Sequence, residues 1–464
     1  GSTATFGGGC RASILVMARL LRRFATTRRN PSKPGDFVPG SWLDRAQLGS
    51  RPSEGGGLAL SRVFLVTRHG DRSPGKNMFA GYSEESAEEE AWNLVAADRQ
   101  RDKELKHLEV AFPVHNVNPE TLDFRTAPFG VLTGKGFDQL SQVGKMYSDL
   151  YADFIDPSLT YVRASNYRRT QQSGQALLGS LFGIESEAVV PIQVHDEKQC
   201  ALQPYEGMPE LLQGARDMED LPFFVDKERS VSSLKKLLTT NMPLFMDDKP
   251  FQWINAGDQL FCRRAHMKNE AVTALGDHRL HSLLTDHVRM RTLRQVSWRF
   301  GTWYHNPLLL NMAIGHLLLE IAETMACILD RGDPLREHLN SSAISLFPDQ
   351  KGHLQTLAKK KNMFVFMGHD VTVCPLLVAL GIWDKTWPDY AATVAIELYA
   401  PGESASTGAP YPYHAVSVLY NGEPMQVPGS FEGNGRWLLP LDIFFGRVAK
   451  INAGSVLSDG SVRA

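Results

Sequence analysis

Apolar positions recur in two rhythms along this chain, and their alternation is the first clue to its architecture. From Leu58 to Thr67 (LALSRVFLVT) the run is apolar, with β-branched Val63, Val66 and Thr67, and it ends in RHG. Such a run reads as a buried parallel strand that delivers a loop at its carboxyl end. From Gly134 to Phe154 the spacing becomes three and four, with Phe137, Leu140, Val143, Met146, Tyr147 and Leu150 sharing one helical face. Leu159–Arg163 reads as a second short strand, with Ser165–Leu181 as the helix after it. Leu308–Leu329 reads as an apolar helix, and Met363–Met367 as a strand leading into GHD. This alternation predicts a doubly wound α/β sheet. Ala392–Tyr399 and Tyr413–Tyr420 alternate apolar and polar residues and are expected as strands near one edge.

Between these elements the pattern loosens. Pro74–Pro128 is less regular; its acidic run from Ser83 to Glu90, with the charged stretch after it to Glu109, is expected to be one exposed helix with a solvated face. Glu185–Asn306 is polar, rich in Arg, His and Met, and reads as a separate, mostly helical cap. The predicted organisation is a basic leader and linker (1–57), an α/β core (58–184), the cap (185–306), the rest of the core (307–450) and a tail (451–464). Nothing repeats internally.

With 43% hydrophobic and 22% charged residues in 464, the chain has the material of a large globular core, most simply two domains. A net charge of -2 exerts no overall pull toward nucleic acid or anionic membrane, so any anion site must be local. Cys10, Cys200, Cys262, Cys327 and Cys374 are scattered without a CxxC, which suggests free thiols in a reducing compartment rather than zinc or disulfides. Gly1–Gly35 holds no acid but carries Arg11, Arg19, Arg22, Arg23, Arg28, Arg29 and Lys33. Met17 and the residues after it match a mitochondrial transit peptide, the alternative being a disordered basic arm. Pro307–Leu319 is the most apolar stretch, but Asn311 and His316 interrupt it, so no transmembrane segment is expected.

Three pieces follow apolar strands and should meet at the carboxyl edge of the sheet, where doubly wound folds bind ligands. They are Arg68–Pro74 (RHGDRSP), Arg163–Thr170 (RASNYRRT) and His369-Asp370. Phosphoryl transfer needs a nucleophile, a clamp for the charged oxygens and an acid for the leaving alkoxide. His69 supplies a nucleophilic imidazole. Arg68 and Arg72 flank it with guanidinium forks suited to phosphate, Arg169 could join from the second loop, and His369 adds a donor. Asp370 is the acid beside it. The other histidines, among them His278, His281, His287 and His316, have no converging acid or thiol, so no metal is expected.

RHGDRSP resembles the RHGxRxP signature of the histidine acid phosphatases, and GHD their second signature. GVLTGKG (Gly130–Gly136), RASNYRRT and AIELY (Ala395–Tyr399) are similar to further segments of the family. HDEKQCALQPY, LGIWDKTWP and the closing VPG...LPLDIF most resemble its lysophosphatidic acid phosphatase branch. The likeness spans roughly Val63–Val448, weakest over the cap. It implies a phosphoglycerate-mutase-like α/β core with an inserted helical cap. It also implies a phosphohistidine at His69, phosphate binding by Arg68, Arg72, Arg169 and His369, proton donation by Asp370, and no metal or cofactor. Ala164 stands where the family has a serine, and Leu439 where secreted members often carry a cysteine. These departures weigh against secretion and leave the chemistry intact.

The leading expectation is a mitochondrial acid phosphatase acting on a small-molecule or lysophospholipid phosphate monoester, lysophosphatidic acid among them. A retired subunit of a mitochondrial assembly, meeting a protein partner there, is the second reading. A mutase is the third, disfavoured because an HD acid stands in place of a glutamate. Activity should fall toward alkaline pH, because Asp370 must carry a proton when the alkoxide leaves.

Overall fold

The computed structural model describes residues 58–116, 128–183, 189–195, 201–246, 249–266, 282–329, 356–401, 413–433 and 435–455, with Leu43, Leu335 and Leu339. The basic leader, the linker before Leu58, His278, His281, Cys10 and Cys200 lie outside them. Among the described residues ten strands form one sheet. They are β1 (Leu58–Arg68), β2 (Val114–Asn116), β3 (Thr160–Ala164), β4 (Ile192–Val194), β5 (Met363–Gly368), β6 (Thr393–Pro401), β7 (Ala415–Tyr420), β8 (Glu423–Met425), β9 (Phe431–Gly433) and β10 (Arg436–Pro440). Their order is β2-β4-β3-β5-β1-β6-β7-β10-β9, with β8 on β7. From β2 to β1 every pairing is parallel; from β1 onward every pairing is antiparallel.

Period-two alternation divides the core. Val63, Leu65, Met363 and Val365 point to the face covered by helices Gly134–Leu150 and Arg168–Phe182. Phe64, Val66, Phe364 and Phe366 point to the other, covered by helices His316–Ala326, Asp370–Leu380 and Leu441–Asn452. Covering both faces is what parallel strands require, and it explains why β5 is buried at every position. One apolar cluster continues from Phe364 through Phe300 and Leu260 to Phe224 and Leu234, so the helices Pro209–Glu219, Pro222–Ser230, Ser232–Asn241, Trp253–Ala265 and Asp286–Tyr304 are welded to the sheet.

Several boundaries differ from those read off the sequence. Core extends past 184, because Ile192–Val194 pairs in parallel with both β2 and β3; three residues are too few to show a period. At the far end, helix Leu441–Asn452 carries the core two residues beyond 450. Strand β6 lies beside β1 and not near an edge; the polar members of its alternation, Thr393 and Glu397, are buried. The helix expected to reach Phe154 stops at Leu150. The one expected over 308–329 runs from Pro307 to Ala326 through a π-turn at Asn311–Gly315, where Asn311 Nδ2 donates to the Asn452 carbonyl at 2.9 Å. By length and composition Pro307–Ala326 could cross a membrane, but 72% of its most apolar 18-residue window is buried inside the protein. The acidic segment forms three helices, Glu85–Val95, Ala97–Gln100 and Asp102–Ala111, and Glu88 is fully buried. It pairs with Arg263, accepts from Trp92 Nε1 at 3.1 Å and from the Met78 amide at 2.7 Å, and so ties the loop after β1 to the cap.

Candidate active site

The carboxyl ends of β1, β3 and β5 lie side by side, and each releases one of the three segments singled out by sequence. After β1 the chain turns through Gly70 so tightly that a Cβ there would sit 2.2 Å from the Gly136 carbonyl oxygen. One on Gly136 would sit 2.1 Å from that of Asp71. The glycines of RHG and LTGKG are thus demanded by each other. Thr133 caps the helix Gly134–Leu150 by accepting from the Gly136 amide at 3.1 Å, and its hydroxyl donates to Asp71 Oδ2 at 2.6 Å. The amide of Gly70 donates to Ser173 Oγ at 3.2 Å, and that of Asp71 to Gln139 Oε1 at 2.8 Å. Because those amides are engaged, charge recognition falls to the side chains.

His69 is buried, and Nδ1 lies 2.8 Å from the Gly70 carbonyl. A carbonyl only accepts, so Nδ1 carries the hydrogen and Nε2 keeps its lone pair. Burial first, then Arg169, Arg68, His369 and Arg72, hold the imidazole well below its ordinary range, so it is neutral. His369 approaches edge-on, with ring centroids 5.3 Å apart. Burial and the three arginines hold it neutral as well. Arg169 Nη2 is 3.4 Å from its Nδ1 and must be the donor, so Nε2–H goes to Ser165 Oγ at 2.8 Å.

Arg68 Nη2 meets Asp370 Oδ2 at 2.8 Å, its Nη1 donates to the Pro388 carbonyl at 2.5 Å, and its guanidinium lies 4.4 Å from the Tyr390 ring centre. Arg72 is held by Asp258, 2.7 Å away on the cap helix Trp253–Ala265, and Asp258 also accepts from the Gly75 amide at 2.8 Å. Arg169 is braced by the Gly130 carbonyl at 3.2 Å and by the Tyr167 ring, 4.1 Å from its guanidinium carbon. Its neighbour Arg168 is half exposed and pairs with Asp98 at 2.9 Å. Asp370 opens the helix Asp370–Leu380 at its first position, with His369 as its N-cap. A fully buried Asp71 accepts from His266 Nε2 at 2.5 Å, a further tie between this loop and the cap.

Five of the six residues singled out by sequence (His69, Arg72, Arg169, His369 and Asp370) line one cavity of about 750 Å³; Arg68 is not in its lining but is paired with Asp370, which is. Cap residues close the opposite wall, including Phe224, Phe251, Trp253, Phe300 and Trp303. Among the described residues no group of three or more His, Cys, Asp and Glu could hold a metal ion. Sequence reasoning missed Asp258, His266, Ser165, Ser173 and Tyr390. Of these Ser165 lay within RASNYRRT, and the Pro388 carbonyl that holds Arg68 and the cavity-lining Tyr205 fell within the segments LGIWDKTWP and HDEKQCALQPY.

Residues 59–421 match the family model of the histidine phosphatase superfamily (branch 2). Lysophosphatidic acid phosphatase type 6 of Mus musculus is 25% identical over 421 residues, covering 86% of this chain and 87% of that protein. Testicular acid phosphatase of Mus musculus is 25% identical over 397 residues, covering 79% and 75%. Among solved structures, Klebsiella sp ASR1 phytase superposes with a TM-score of 0.50 at 14% identity, over 85% of this chain and 95% of that one, a likeness of fold. The chain is a member of the histidine phosphatase superfamily (branch 2), and its activity is that of a phosphomonoesterase.

Proposed function

We propose that the protein hydrolyses a lysophospholipid phosphate monoester of the lysophosphatidic acid type through a phosphohistidine at His69. The observation that carries this is the tautomer. A neutral imidazole, its Nδ1–H given to the Gly70 carbonyl, keeps a lone pair on Nε2 at the wall of a cation-lined cavity. Nε2 attacks phosphorus, the bond to the ester oxygen breaks, and Asp370 gives that oxygen its proton. Water then attacks the phosphohistidine while the Asp370 carboxylate takes a proton from it, releasing phosphate and restoring both groups. Arg68, Arg72 and Arg169 hold the phosphoryl oxygens. His369 joins them when its N–H turns from Ser165 to the substrate.

The lipid assignment is supported by the aromatic cap wall and by the similarity to lysophosphatidic acid phosphatase type 6. Its test is turnover of lysophosphatidic acid beside an aryl phosphate at acid pH. Faster handling of the lipid supports the assignment, and indifference to the acyl chain removes it. Mitochondrial import rests on the basic leader; residues 1–57 fused to a fluorescent protein should direct it to mitochondria, and a diffuse signal would refute import. No observation favours the retired-subunit reading.

A further inference from the structure

The cap end of the cavity carries charge, but in an arrangement unlike that around His69. Beyond the phosphate end its lining includes three cations, Arg216, Lys235 and Arg299, against three carboxylates, Glu219, Asp220 and Glu228. Four of these six interlock. Arg299, on the helix Asp286–Tyr304, extends Nη1 to Glu228 Oε2 at 3.1 Å and Nη2 to Glu219. Lys235 Nζ meets Glu228 Oε1 at 3.0 Å, and Trp253 Nε1 donates to Glu228 Oε2 at 2.9 Å. Arg299 also lies over the Phe224 ring, 5.4 Å from its centre, with its side chain only 13% exposed. Two cations and an indole N–H, the groups that could take up a second phosphate, are therefore turned onto Glu228 and Glu219.

A second phosphate brings about -1.5 to -2 charges and needs donors that are not already engaged. At this wall it would meet two carboxylates, each about one-third exposed and already holding Arg299 and Lys235, with Asp220 beside Arg216 completing a balanced set of charges in the lining. We propose that Glu228, seconded by Glu219, is a specificity-determining residue. It neutralises Arg299 and Lys235, excludes polyphosphorylated esters, and leaves the aromatic wall to the uncharged body of a monophosphate. This rests on the reading of the phosphate end given above and adds the rule by which the cap selects.

The experiment compares the parent, Glu228→Gln and Glu219→Gln. One readout is the ratio of kcat/KM for myo-inositol hexakisphosphate to that for p-nitrophenyl phosphate. The other is the Kd of myo-inositol hexakissulfate, read by tryptophan fluorescence and independent of turnover. Glutamine keeps an acceptor for Trp253 and removes one negative charge. In each variant the ratio should rise, and the Kd fall, by about five- to tenfold, with the gain shrinking at high salt. A hexakissulfate Kd unchanged within about twofold in both variants would overturn the proposal, as would a parent that cleaves the hexakisphosphate as readily as the aryl ester. Because the two carboxylates sit on different helices, a folding defect in one leaves the other to decide. Failure of the parent on the aryl ester would fault the role given to His69, while the Kd comparison would still judge Glu228.

Discussion

Two walls face each other across one cavity and are built on opposite electrostatic logic. At the sheet edge burial acts together with three guanidiniums, Arg68, Arg72 and Arg169, to hold His69 and His369 below the ordinary imidazole range, the mark of a positive field where an anion would bind. On the cap Arg299 and Lys235 are matched by Glu219 and Glu228 among aromatic rings. The difference teaches that arginine content alone does not identify a phosphate site; what matters is the field that the charges leave where the substrate binds.

The largest expected effect is at His69. His69→Ala should lower kcat by about a thousandfold or more, since the covalent step disappears, while the roughly five- to tenfold tightening of hexakissulfate by Glu228→Gln persists in that background. Retention of more than a tenth of the rate would break the contrast between a chemical wall and a selecting one. Next comes the discrimination between adjacent arginines. Arg169→Ala should cost about a hundredfold or more in kcat/KM, whereas Arg168→Ala, paired with Asp98 at the surface, should change it less than about twofold. Equal losses would mean that charge near the site, not donor placement, does the work.

The seam between the walls is tested by stability. Glu88→Gln leaves fully buried Arg263 without its carboxylate and should destabilise the fold by about 3 kcal/mol or more, read as a lower urea midpoint. An unmoved midpoint would show that the Glu88–Arg263 pair does not hold the cap. The smallest effect is in pH. His69 is kept neutral mainly by burial and secondarily by Arg169, so the acid limb of kcat/KM should lie well below pH 6.5. Arg169→Gln should move that limb upward by less than about one unit, because burial persists. A parent limb at the ordinary histidine value would contradict the buried, neutral imidazole. The same two histidines, neutral when folded and ordinary when unfolded, should also make the protein less stable as pH falls below about 6.5.

The two walls also differ in how far they could be read from sequence. Around the phosphate end, short motifs follow apolar strands, and a strand fixes where its loop emerges; hence His69, Arg169 and His369 could be named in advance. The tight approach of Gly70 and Gly136 shows why those motifs tolerate so little change. Asp258, His266 and Tyr390 could not be named, because each arrives from a helix or turn whose own pattern reports only its packing face. The same holds for Glu88, which sits in an acidic run and yet is buried: composition describes the run, whereas burial depends on Arg263, 175 positions away. In the cap, helical periodicity revealed the class of structure but not which of its many charges pair across helices. Strand β4 escaped for a simpler reason, since three residues carry no rhythm.

The most direct test of the central claim is to trap the intermediate. The parent and Asp370→Asn are mixed with an aryl phosphate at acid pH, quenched within milliseconds under alkaline denaturing conditions, and digested for mass spectrometry. The account predicts one phosphoryl group on the imidazole of His69, more abundant in Asp370→Asn because water attack is slowed, and absent from His69→Ala. Turnover with no phosphoryl group on His69, or with one on another residue, would contradict it.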